Sequence, residues 1–135
     1  MSRVTFLAVL LAIGASACSN DTTTPTTPTT AVTVTDTFAG PLTQNSGATH
    51  SFSTAASGNV SALITNLSPT SSIIVGLSLG TWNGASCSIV LVNDKATQTS
   101  SLLGTASGSG TLCVRVYDVG NITEPITYEV QVTHP

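Results

Sequence analysis

Acid–base chemistry near neutral pH would have to run through His50 or His134, the two histidines of the chain. Asp36 and Asp118 offer carboxylates that could orient an imidazole, and serines abound. The Gly-x-Ser-x-Gly spacing occurs at Gly76-Leu77-Ser78-Leu79-Gly80, but inside a strand-like segment and not at the strand-to-helix elbow that strains a serine into a nucleophile. A hydroxyl beside a histidine is therefore read as coincidence, and the chain as non-catalytic. His134 is expected at the surface and His50 at the start of a strand. Asp118, Asn121 and Glu124 fall close together in one predicted loop, and hard oxygen ligands of this kind hold Ca²⁺. The competing reading is a solvated turn in which Asp118 and Asn121 bond to backbone. Trp82, beside Asn83-Gly84, offers an amphipathic ring that could stack on a sugar or a partner surface. Its plainer reading is a rim residue covering one end of the fold.

The elements that would position these groups read as strands. Residues 111–120 alternate most cleanly: Leu112, Val114 and Val116 point one way, and Cys113, Arg115 and Tyr117 the other. Similar segments cover 32–38, 49–54, 60–67, 73–79, 85–92, 101–106 and 126–132. Turn signals separate them at Gly40-Pro41, Asn45-Ser46-Gly47, Ser57-Gly58-Asn59, Ser68-Pro69-Thr70, Asn83-Gly84, Asn93-Asp94-Lys95, 107–110 and 121–125. Asn83-Gly84 is the strongest hairpin signal, because both residue types tolerate positive φ. No segment keeps a helical period over ten residues. The expectation is a single all-β domain over residues 31–135, an antiparallel β-sandwich or jelly roll of about eight strands, with 111–120 as a central strand.

Charged residues form only 7% of the chain, against about 25% in ordinary soluble domains. Hydroxyls and backbone must therefore solvate the surface. All six acids lie at or beyond Asp21, where Lys95 and Arg115 are the only lysine and arginine. So sparse a set of cations cannot neutralise a run of phosphates, which argues against a nucleic-acid partner.

The first residues read as an address. Arg3 supplies a positive charge, residues 4–17 carry none, and the run ends in Ala15-Ser16-Ala17. It is shorter than the roughly 20 residues needed to span a bilayer and fits a signal peptide over residues 1–17. Ala15-Ser16-Ala17-Cys18 resembles the lipobox of bacterial lipoproteins, although that family prefers Leu where Ala15 stands. The resemblance implies that Cys18 is lipid-modified and becomes the first residue of a membrane-anchored mature protein. Ser19 is not the Asp that retains many such proteins at the inner membrane, which favours the outer membrane or cell surface. Residues 18–30 then form a Thr/Pro tract with nothing to bury. At about 3.1 Å per residue it reaches roughly 35–40 Å from the membrane.

With Cys18 taken by lipid, an exported chain retains Cys87 and Cys113, and an oxidising compartment favours pairing them. A two-residue turn at Asn83-Gly84 would set Trp82 against Ala85 and Gly80 against Cys87. Cys87 then lies opposite to the Leu77 and Leu79 face, and Cys113 shares its face with Arg115, which resists burial. The bridge is therefore expected on the outer side or rim of a sheet. Ile89 and Leu91 share the Cys87 face and need cover, so a longer loop and the opposite phase stay open.

A second resemblance covers Phe38 to the C-terminus. Phe52 before Gly58-Asn59-Val60, Leu77-Ser78-Leu79, Val114-Arg115-Val116-Tyr117 and Tyr128-Glu129-Val130 are similar to the bacterial pre-peptidase C-terminal (PPC-like) domains. That family implies a β-sandwich appended to secreted proteases and other envelope proteins. The expected function is a non-catalytic structural or interaction role at the cell envelope. The alternative is a glycan- or protein-binding module that uses Trp82 and adjacent loops.

Overall fold

The computed structural model describes Pro25 and residues 32–135. The predicted signal peptide, Cys18 and, Pro25 apart, the tether lie outside the described residues. Among the described residues no helix is long and apolar enough to cross a membrane.

Alternation explains the layers. Along β8 (Ile126–His134), Ile126, Tyr128, Val130, Val132 and His134 are buried, while the residues between them are exposed or half-buried. A strand with one apolar side must lay that side on another layer. The other elements are β1 (Val34–Leu42), β2 (Gly47–Thr54), β3 (Ser57–Ser68), β4 (Val75–Trp82), β5 (Cys87–Ala96), β6 (Ser101–Ser107) and β7 (Gly110–Asp118). They form two four-stranded antiparallel sheets, ordered β1-β8-β3-β6 and β2-β7-β4-β5. Apart from the β4–β5 hairpin, neighbours in each sheet are not consecutive in the sequence, which is the jelly-roll arrangement. Ala62, Ile64, Val130 and Val132 from the first sheet meet Phe52, Leu77, Val114 and Val116 from the second in a shared core.

The central strand is where the sequence puts it. β7 lies between β2 and β4, with Val114 and Val116 fully buried and Leu112 packed against the core. Several boundaries move. β1 was expected to break at Gly40-Pro41 but continues through them to Leu42. It is an edge strand paired only with β8, a place where proline's missing N–H is tolerated. Gly40 leaves room for the Tyr128 ring, whose Oη would lie 3.3 Å from an added Cβ. The predicted turn at Ser57-Gly58-Asn59 is already strand. Asn93-Asp94-Lys95, expected as a loop, belongs to β5. Its turn chemistry is present, because Asn93 Oδ1 accepts the Lys95 N–H at 3.0 Å. The strand absorbs it as a bulge between the Val75↔Ala96 and Leu77↔Asn93 pairs.

Candidate functional site

The hairpin from β4 to β5 differs from the two-residue turn expected. Trp82 pairs with Cys87 across the four residues Asn83–Ser86. The cause is the Asn83 side chain: its Oδ1 accepts the N–H groups of Ala85 at 2.9 Å and Ser86 at 2.8 Å, and its Nδ2 donates to Ser86 Oγ at 3.1 Å. Such an Asx turn favours the longer loop, and Gly84 adopts φ +96° within it. Gly80 consequently faces Ile89 and Cys113 rather than Cys87. The pairing shifts by two residues, so Cys87 keeps the outer face. Leu91 does not, because a bulge between the Gly80↔Ile89 and Leu79↔Leu91 pairs turns it into the core.

Cys87 and Cys113 are disulfide-bonded with Cα atoms 5.9 Å apart, although β4 separates their strands in the sheet. Two strand spacings in a flat sheet amount to about 9–10 Å, so the start of β5 curls over the outer face of β4. Gly80 permits this. A Cβ there would collide with the Ser88 carbonyl, so only a bare α-carbon lets the β5 backbone cross. Cys113 is fully buried under the crossing.

The curl creates a shallow concavity of about 330 Å³ lined by Thr49, Trp82, Ala85, Ser86, Cys87 and Arg115. Trp82 is half-buried and Arg115 exposed. The Arg115 guanidinium carbon lies 5.3 Å from the centroid of the Tyr117 ring, a cation–π distance. Its side chain also passes over Gly47, where an added Cβ would come 2.8 Å from Nη2. Tyr117 in turn lies flat on Gly76, whose missing side chain makes the space, and donates its hydroxyl proton to Asp94. Burial and that bond to a carboxylate push the phenol up to about 12, against the opposing pull of Arg115.

The loop carrying the predicted calcium ligands is organised around one carboxylate. Asp118 Oδ1 accepts the N–H groups of Gly120, Asn121 and Ile122 at 2.8, 2.9 and 3.1 Å. Its Oδ2 accepts the Asn45 N–H at 2.9 Å, tying the turn between β1 and β2 to the one after β7. Desolvation raises its carboxyl, but the four backbone donors outweigh that and hold it below the usual carboxylate value. Asn121 Nδ2 donates to the Ile74 carbonyl at 3.2 Å, and Glu124 is exposed on the same loop. Asp118 and Asn121 thus bond to backbone, and a cation would have to compete with those N–H donors. Among the described residues no group of three His, Cys, Asp or Glu side chains is placed to hold a metal ion.

Both histidines face inward, where the edge strands β1 and β2 meet. His50, in the middle of β2 rather than at its start, stacks on Phe38 with ring centroids 4.6 Å apart and planes within 9°. Its Nε2 lies 2.6 Å from Tyr128 Oη, and burial lowers its pKa. His134 was expected at the surface, yet it is 3% exposed, because the β8 alternation continues through it. Its Nε2 lies 3.1 Å from Asp36 Oδ2 and its Nδ1 3.3 Å from Pro135 O. Among the described residues, the only hydroxyl hydrogen-bonded to either imidazole is that of Tyr128.

Neither histidine partnership, nor the place of Arg115 on the concavity that Trp82 lines, shows in the sequence. The Arg115 signal was present, since alternation already set Arg115 and Tyr117 on the face of Cys113. What was lacking was the strand order that sets the β4–β5 hairpin beside β7. No family model and no curated protein matches this chain.

Proposed function

We propose that this chain is a lipid-anchored cell-envelope protein whose jelly-roll domain has a non-catalytic interaction role, with the outer face around Trp82 as its contact surface. The observation that carries this reading is the concavity itself. A tryptophan, an arginine and hydroxyl-bearing residues converge there on a floor fixed by a disulfide and by the Asn83 turn. Fixing groups before a ligand arrives removes ordering cost from binding, and tryptophan and arginine are the residues that most often dominate contact energies. The placement at the envelope rests on the sequence: the uncharged run ending at Ala17, the lipobox-like Cys18, the Thr/Pro tether and the likeness to PPC-like domains. A non-catalytic role is supported by the engagement of three of the four imidazole nitrogens, His50 Nε2 with Tyr128 and His134 Nε2 and Nδ1 with Asp36 and Pro135.

Two measurements test the reading. Replacing Cys18→Ser should move the protein from the membrane fraction to the soluble one, and retention in the membrane contradicts the anchor. The full chain should co-sediment with purified envelope polysaccharide, and Trp82→Ala should abolish this. Co-sedimentation that ignores Trp82 contradicts the contact surface.

A further inference from the structure

The Trp82 concavity is lined by an apolar ring and by Arg115, whose guanidinium is turned towards Gly47 and Tyr117. Among the described residues the only ion pair within 4.0 Å is His134–Asp36, so Arg115 has no carboxylate partner there. Asp94, on β5, is instead engaged by the Tyr117 hydroxyl. Arg115 therefore lies along Tyr117 and Gly47 with its donor fork unspent. An arginine fork recognises a planar carboxylate through two parallel hydrogen bonds. The indole of Trp82, half-buried in the same concavity, suits the apolar face of a pyranose, and Thr49 and Ser86 bring hydroxyls that can meet ring hydroxyls. A volume of about 330 Å³ stands at the small end of ligand sites, which run from roughly 300 to 1,000 Å³, and suits one sugar unit of a longer chain. The protein is net negative, at −3, so attraction of an anion has to be local to Arg115.

We infer that this concavity binds a carboxylated sugar of the uronic-acid class, with the pyranose on the Trp82 ring and its carboxylate drawing the exposed Arg115 guanidinium off Tyr117 into the concavity. The inference rests on the Trp82 face being the contact surface.

The test uses the full chain in mild detergent and isothermal titration with oligogalacturonate and oligomannuronate, each against its methyl ester. The ester keeps the ring and removes the charge. The acid forms of at least one oligomer should bind about tenfold tighter than its ester, the scale of one charge-assisted contact, and the gap should shrink with salt. Arg115→Gln should bring the acid down to the affinity of the ester, Arg115→Lys should recover only part of the gap, and Trp82→Ala should remove binding of both. Melting curves of the variants establish that each is folded, and the acid–ester comparison on the unaltered chain needs no variant. Equal affinity for acid and ester overturns the inference, as does acid binding indifferent to Arg115. Failure of every acid to bind also overturns it. If Trp82-dependent co-sedimentation persists in that case, the contact surface stands and only its ligand class is wrong; if co-sedimentation is lost too, both readings fall.

Discussion

The two outer faces of the sandwich are built by the same alternation, yet they carry different side chains. On the β1-β8-β3-β6 sheet the outward residues include Thr35, Thr37, Thr127, Glu129, Gln131 and Thr133. Their contacts are local, such as Thr35 Oγ1 with Thr133 Oγ1 at 2.9 Å and Thr65 Oγ1 donating to Glu129 Oε1 at 2.7 Å. The β2-β7-β4-β5 sheet presents Trp82, the disulfide, Arg115 and Tyr117 outward, and three β4 glycine or serine positions, Gly76, Ser78 and Gly80, are buried beneath that cover. A threonine face is solvated and can be altered cheaply. The other face is a second packed layer, in which bare α-carbons make room for a ring and a crossing strand. One face is an open, hydroxyl-bearing layer that also exposes Leu103, and the other is a surface whose shape is held.

The largest difference should come from the disulfide. Replacing Cys87 and Cys113 together by Ser should lower stability by about 3–4 kcal/mol, because the closed loop has a sequence separation of 26. For a domain whose whole stability is about 5–15 kcal/mol, that is a large drop in denaturation midpoint. Gly80→Ala should follow at about 1–3 kcal/mol through overpacking against the Ser88 carbonyl. A melting curve unchanged by Gly80→Ala would show that β5 does not cross there.

Asp118→Asn should be smaller, about 1–2 kcal/mol, since four backbone N–H groups lose an ionised acceptor. The sign of its pH dependence follows from the depressed carboxyl. The unfolded chain takes up the proton first, so the contribution is complete above the ordinary value of 3.8 and is lost as pH falls through the folded value. His50 adds a second loss on acidification. Burial lowers its pKa, so stability declines as pH drops below 6.5, when the unfolded chain binds the extra proton. Tyr117 acts at the other end: its raised phenol favours the folded state until pH climbs from 10.0 towards about 12. Added Ca²⁺ should leave the melting temperature unchanged, and a rise would support the Asp118–Asn121–Glu124 site. The smallest effect belongs to the threonine face, where Thr133→Val should change stability by under about 0.5 kcal/mol.

Much of this was legible in the sequence, for identifiable reasons. Alternation in 111–120 gave a strand, its buried side and the outward direction of Cys113. The Cys87 pairing followed from the residue inventory and the expectation of an oxidising compartment. What local pattern could not supply was register. Asn83 stretches a turn that its Asn-Gly dipeptide advertises as two residues, and a bulge sends Ile89 and Leu91 to opposite faces. The histidines were misplaced for the same reason. His134 meets Asp36 and His50 meets Tyr128 across 98 and 78 residues, and no window of the sequence contains both members of either pair.

The most direct test of the Trp82 face as the contact surface is hydrogen–deuterium exchange of the full chain with and without purified envelope polysaccharide. Added protection should fall on Thr49, the 83–86 loop and the 113–117 segment of β7, leaving 127–133 of β8 unchanged. Protection centred on the threonine face, or none in the presence of bound polysaccharide, would contradict the account.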